Sequence, residues 1–225
     1  MQTAIRNFAE KTCPTYPLYT MNGRNGLTAA ILPLGAVIQK IAVFDASGQD
    51  IPLALGFPDP RPYEAPACYA GAALGPNAGR IRGGRLSLPG GECALAPNDG
   101  PNQLHGGSHS LSSKLWEVED FTCDGEEASL LLSASQPHGL DGWPGNRAYR
   151  ARYTLTDEGC LTVEYQARTD QTTYFNLSNH TYWDLTGRFD GSALSQELAV
   201  YAGRVCSNDE QHLPAKLIPV DDTAF

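Results

Sequence analysis

The chain has 225 residues, 41% apolar and 18% charged, with 23 Gly and 16 Pro, a composition of a globular protein that excludes a fibre or a disordered tail. Sixteen Lys and Arg against 25 Asp and Glu leave a formal charge of −9, so the basic patch with which a nucleic-acid-binding protein neutralises phosphates has no source. No nucleic-acid partner is expected, and the length fits one domain over residues 1–225.

In chain order, Met1-Gln2-Thr3-Ala4-Ile5-Arg6 has neither a basic start leading into an apolar run nor a small-residue cleavage pattern, so a cytoplasmic location is expected. The longest apolar stretch, Ala29 to Ile38, is broken by Pro33 and Gly35 and falls short of the ~20 residues a membrane-crossing helix needs. The expectation is a soluble protein with no membrane contact. Val37 to Phe44 and Ile51 to Leu55, separated by Asp45-Ala46-Ser47-Gly48, read as a hairpin. Gly84 to Leu88 and Glu92 to Leu95 read as a second around Pro89-Gly90-Gly91, which supplies the backbone angles of a tight reversal. Leu115 to Phe121 and Ala128 to Ala134 flank the turn-forming Cys123-Asp124-Gly125-Glu126-Glu127. The clearest pair alternates Tyr149, Ala151, Tyr153, Leu155 with polar residues, turns at Asp157-Glu158-Gly159, and resumes as Leu161, Val163, Tyr165, Ala167. That period of 2 gives a hairpin with one wet face.

No window of a dozen residues carries an apolar stripe at helical spacing, and the Gly and Pro content would interrupt one, so helices should be few and short. Successive local hairpins without a fixed repeat point to an antiparallel all-β sandwich or barrel. The Gly- and Pro-rich segments Phe57 to Pro66 and Pro97 to Ser113 read as ordered loops, because aromatic residues and His are mixed into them. Cys13, Cys68, Cys93, Cys123, Cys160 and Cys206 are widely spaced with no C-x-x-C pair, which favours reduced thiols over a zinc site or a disulfide framework.

Two of the five histidines sit in loops dense with small and polar residues. His105 lies in Asn98-Asp99-Gly100-Pro101-Asn102-Gln103-Leu104-His105-Gly106-Gly107, where the glycines let a ligand approach the backbone. His180 lies in Asn176-Leu177-Ser178-Asn179-His180-Thr181-Tyr182-Trp183, which offers amide, hydroxyl, imidazole and aromatic groups together. Such a mixture suits a polyhydroxylated ligand, whose hydroxyls seek polar partners and whose C–H faces pack on rings. The competing reading for each histidine alone is a hydrogen-bonded structural residue. His105 and His109 are four apart, but Gly106-Gly107 argues against the helix that would aim both at one metal, so no metal site is expected. Arg80, in Gly79-Arg80-Ile81-Arg82-Gly83-Gly84, is either a ligand anchor or a charged lip beside a hairpin.

Taken in order, Leu74-Gly75-Pro76-Asn77-Ala78-Gly79-Arg80-Ile81, Asn102-Gln103-Leu104-His105-Gly106-Gly107 with Lys114-Leu115-Trp116, Asp141-Gly142-Trp143-Pro144-Gly145-Asn146, and Asn176-Leu177-Ser178-Asn179-His180-Thr181-Tyr182-Trp183-Asp184-Leu185 resemble successive signatures of the aldose 1-epimerase, or galactose mutarotase, family. The resemblance runs from about Leu27 to the last residue. It implies an antiparallel β-sandwich of the galactose mutarotase-like supersandwich type that binds a free aldose such as galactose or glucose and interconverts its anomers without a cofactor. On the family pattern His180 is the acid at the ring oxygen, His105 assists there, Arg80 holds sugar hydroxyls and Tyr182 lines the site.

This chain departs from the pattern at Gly79, where the family has Asn before the Arg. Leu217 to Phe225 resembles an internal segment of the family, whose later part carries an Asp that binds the sugar and the Glu that acts as base. The sandwich is therefore expected to be incomplete at its C-terminus, with unpaired edges and an exposed apolar face, unless a second chain or a missing C-terminal segment completes it. The chain alone is then expected to be weakly active or inactive. The alternative reading is a non-catalytic carbohydrate-binding protein or pseudoenzyme that presents Arg80, His105 and Trp183 as a binding surface. An enzyme for a phosphorylated sugar is a further rival, with Arg80, Arg82 and Arg85 as the phosphate cluster.

Overall fold

The computed structural model describes residues 1–8, 16–65 and 68–220. Cys13, Pro66 and the final Asp221-Asp222-Thr223-Ala224-Phe225 lie outside the described residues. The chain begins with an antiparallel five-stranded meander, β1 (Gln2–Phe8), β2 (Tyr16–Asn22), β3 (Thr28–Leu32), β4 (Val37–Phe44) and β5 (Asp50–Pro52), in sequence order across the sheet. A one-turn helix, α1 (Arg61–Glu64), follows Pro60. Short strands come next: β6 (Ala73–Leu74), β7 (Arg80–Ile81), the hairpin β8 (Arg85–Leu88) and β9 (Gly91–Ala94), and β10 (Gln103–Leu104). A second meander, β11 (Glu117–Cys123), β12 (Glu127–Gln136), β13 (Arg147–Thr156) and β14 (Leu161–Thr169), forms a four-stranded antiparallel sheet. The chain then returns through β15 (Ser178–Asn179) and closes with the hairpin β16 (Arg204–Asn208) and β17 (Pro214–Pro219).

The two large sheets face one another as a β-sandwich. Tyr149, Ala151, Tyr153 and Leu155 of β13 and Leu130 and Leu132 of β12 meet Tyr19, Met21, Ala29, Ile31, Ile38 and Ile41 of the first sheet in one buried cluster. Tyr19 meets Phe121 edge-on at 5.1 Å, and the Tyr153 hydroxyl donates to the Ala36 carbonyl at 2.5 Å, tying the sheets together. Each fully buried Leu here contributes about 1.5–3 kcal/mol by leaving water. The period-2 reading holds on β13, whose intervening Ala148 and Arg150 are exposed. β3 is buried at every position, because Ala29 and Ile31 serve this core while Ala30 and Leu32 join a smaller cluster with Leu18, Val37, Tyr63 and Ala72. A sheet covered on both faces yields a continuous apolar run rather than alternation.

The four expected hairpins are present, with adjusted ends. Leu115 lies outside β11 because it bridges Leu34, while the Trp116 N–H donates to the Pro33 carbonyl. The Ile51–Leu55 strand contracts to β5. The Phe57–Pro66 loop contains α1, and Pro97–Ser113 contains β10 and a 3₁₀ turn at Leu111–Ser113. Among the described residues no helix is long and apolar enough to cross a membrane. Toward the end of the chain Leu194, Leu198 and Tyr201 are 97%, 88% and 103% exposed, in contrast to the sealed sandwich.

Candidate active site

Four segments distant in sequence converge beside the sandwich. β15 pairs antiparallel with β6, placing Ser178 opposite Leu74 and Asn179 opposite Ala73. The ladder continues on both sides of this pair. The His180 N–H donates to the Ala72 carbonyl and the Gly71 N–H to the His180 carbonyl, both at 2.9 Å. Asn176 donates to Pro76 and accepts from Ala78. One step further along, β7 pairs with β10, Leu104 opposite Arg80. Gly79 and His105 then close on each other: the His105 N–H donates to the Gly79 carbonyl, and the Gly79 N–H donates to His105 Nδ1, both at 3.0 Å.

These pairings bring the two candidate histidines into contact, their rings edge-to-face with centroids 5.3 Å apart. Tyr182 lies against His180 at 4.9 Å and donates its hydroxyl to the Cys68 carbonyl at 3.0 Å. Tyr69, which sequence reasoning missed, reaches both imidazoles, at 4.8 Å from His105 and 5.9 Å from His180. Its signal is a backbone one that no residue pattern carries. Tyr69 and His105 have φ of 56° and 53°, a left-handed conformation that costs a side-chain-bearing residue about 1–3 kcal/mol. Gly106, next to His105, has no such freedom to spare for a side chain: a Cβ there would stand 2.2 Å from the Gly75 carbonyl oxygen.

The accepted bond at Nδ1 puts the proton of neutral His105 on Nε2. Burial first, then the neighbouring His180 and Arg80, push its pKa down to about 4, with Asp99 pulling the other way. At neutral pH it is an uncharged N–H donor. Burial, reinforced by the Asp99 carboxylate, raises the Tyr69 phenol, so this too stays protonated. Arg80 is tied through Nε to Asp99 Oδ2 at 2.6 Å, an interaction that fixes the guanidinium by a charge-assisted bond.

The Asp141–Asn146 segment supports this loop from behind. Trp143 is buried and its indole N–H donates to the Gly106 carbonyl at 3.1 Å. The Asp141 carboxylate accepts from the His109 N–H at 2.8 Å and contacts His109 Nδ1 at 3.1 Å. Buried Arg147 gathers the carbonyls of Pro137, Trp143, Pro144 and Gly145, which satisfies a segment too irregular to pair its own backbone.

Other sequence candidates go elsewhere. Trp183, adjacent to Tyr182 on extended backbone bridged to Ala54, is 52% exposed and makes no ring contact with the imidazoles. Arg82 pairs with Asp209 and Arg85 with Glu92, both arginines at exposed positions. Gly79 carries φ of 90° with open space where a side chain would stand. His109 turns to Asp141 rather than toward His105, and among the described residues no group of three or more His, Cys, Asp or Glu is placed to hold a metal. A concavity of about 320 Å³ is lined by Tyr69, Asn98, Gly107, Ser108 and Ser110, and of the cluster it takes in Tyr69 but neither imidazole, Arg80 nor Tyr182. A larger one of about 610 Å³ lies on the outer face of the second sheet, over Ser133, Ala148 and Arg150, and contains none of the cluster residues.

A protein-family model described as aldose 1-epimerase matches residues 17–225. The galactose mutarotase of Sus scrofa is 36% identical over 200 residues, which are 88% of this chain and 57% of that protein. The aldose 1-epimerase of Escherichia coli (strain K12) is 28% identical over 199 residues, 88% of this chain and 56% of that protein. Among solved structures, the galactose 1-epimerase from Lactobacillus acidophilus NCFM superimposes with a TM-score of 0.84 at 27% identity, covering 99% of this chain and 64% of that one. The chain thus spans little more than half the length of the curated relatives it matches.

Proposed function

The chain belongs to the aldose 1-epimerase family, and from that membership we propose that it binds a free hexose at the His105–His180 cluster and serves its anomeric interconversion. The observation that carries this reading is the contact between the two imidazoles, with His105 held as a neutral Nε2–H donor. In the proposed reaction a base takes the proton from the anomeric hydroxyl, the C1–O1 double bond forms, and the C1–O5 bond breaks. O5 takes a proton from His180, while the His105 N–H stabilises charge on the same oxygen. Rotation about C1–C2 and reversal of the proton transfers yield the other anomer. Arg80, oriented by Asp99, holds sugar hydroxyls, and Tyr182 supports the ring of His180.

Asp99 reaches this cluster but is engaged by Arg80; on the family pattern we propose that the base is the Glu carried by the family's later part. On this reading the chain alone binds sugar with little or no turnover. Polarimetry of freshly dissolved α-D-galactose and α-D-glucose tests the enzymatic reading with a version extended to family length. Equilibration no faster than in buffer would overturn it. A second reading is a carbohydrate binder without chemistry. Calorimetry and polarimetry on the family-length protein separate the two: sugar binding without faster mutarotation supports the binder.

A further inference from the structure

Tyr69 is held where a fold alone would not place an aromatic residue. The turn it opens is closed by the backbone, Ala72 N–H to Tyr69 carbonyl at 2.9 Å, and is locked to the other side of the site through Gly71 and His180. The Asn179 side-chain amide adds a bond to the Gly71 carbonyl at 2.9 Å. None of these bonds uses the Tyr69 side chain, and its φ of 56° is one that Gly or Asn adopts with less strain. Strain of this kind persists where the surrounding structure imposes it, and it concentrates at ligand-binding positions. The ring packs partly against the smaller apolar cluster, touches both imidazoles, and also lines the concavity of about 320 Å³. The ring is therefore wedged between the imidazoles and a hollow that it shares with Asn98 and Gly107 of the His105 loop.

We propose that Tyr69 is a sugar-contacting residue of this site, its ring the platform on which an apolar C–H face of the bound aldose packs. This rests on the sugar-binding reading given above. Tyr182 is a weaker candidate for that role, since it meets only His180 and spends its hydroxyl on the Cys68 carbonyl. A planar ring next to polar donors is the arrangement that lets one ligand satisfy hydroxyls and C–H groups at once.

The test measures D-galactose binding to the full 225-residue chain by calorimetry and by NMR saturation transfer from aromatic protons to sugar C–H protons. Tyr69→Phe keeps the ring, and Tyr69→Asn removes it while suiting left-handed backbone. The Phe variant is expected to bind within about threefold of the unmodified chain, and the Asn variant to lose on the order of tenfold or more in affinity together with the saturation transfer. Circular dichroism reports whether each variant is folded. A folded Asn variant that binds as tightly as the unmodified chain would overturn the proposal, as would a Phe variant as weak as the Asn one. If the Asn variant does not fold, absence of saturation transfer from aromatic protons in the unmodified chain, despite calorimetric binding, overturns it. Failure of the unmodified chain to bind any aldose would remove the sugar-binding reading itself, a result distinct from the variant pattern.

Discussion

The second sheet and the loop cluster answer to different physics. In β13 the side chains alternate between core and solvent, the backbone bonds are all ladder bonds, and a single residue's environment follows from its parity. At the cluster nothing is periodic: Tyr69 and His105 sit at positive φ, and the contact distances depend on short β-ladders between segments about a hundred residues apart. The sheet is robust because many equivalent contacts share the load. The site is specific because a few unequal ones do not.

Substitutions sharpen that contrast. The largest expected effect is His180→Asn in a family-length protein, where loss of positioned proton transfer should lower mutarotation by roughly 10²–10⁴-fold with little change in melting temperature. A matching loss of stability would instead make His180 a structural residue. In the sheet, Leu132→Ala should cost about 2–5 kcal/mol in denaturant unfolding, since Leu132 is fully buried, while sugar affinity of the folded fraction stays unchanged. Trp143→Phe stands between the two regions. It removes the bond to the Gly106 carbonyl, so calorimetry should show weakened sugar binding together with roughly 1 kcal/mol of lost stability.

A pH dependence bears on the same comparison. His105 has an ordinary pKa near 6.5 when unfolded and about 4 when folded, so between those values the unfolded chain binds the extra proton. Stability is expected to be intact from this group above about pH 6.5 and to decline as pH falls toward 4. Asp184, held low mainly by the Thr186 hydroxyl, adds stability that is present above the unfolded carboxylate range and lost as pH falls through its lowered folded value. Melting curves from pH 7 downward should show the part of the decline between about pH 6.5 and 4 removed in His105→Asn, while the Asp184 part at lower pH persists.

The sandwich was legible because alternation and turn residues are local signals: Pro89-Gly90 and Asp157-Glu158-Gly159 mark reversals whatever lies elsewhere. His105, His180, Arg80 and Tyr182 were legible only through ordered motifs, and the structure assembles three of those side chains around one another with Arg80 one pairing step away. Tyr69 and Asp99 escaped notice for opposite reasons. The first is distinguished by backbone angle, and the second by its Arg80 partner, neither of which residue identity encodes. Trp183 stands next to Tyr182 but does not stack on the imidazoles, since adjacent residues of an extended segment point to opposite sides.

The zip between residues 71–74 and 178–180 carries a kinetic consequence. Asn179 and Gly71 are 108 positions apart, so their bond carries a loop-closure entropy cost that the local hairpins of the meanders do not. Recognition of ligand should therefore report long-range closure in refolding, which makes the imidazole pair a reporter of that event rather than of local hairpin formation.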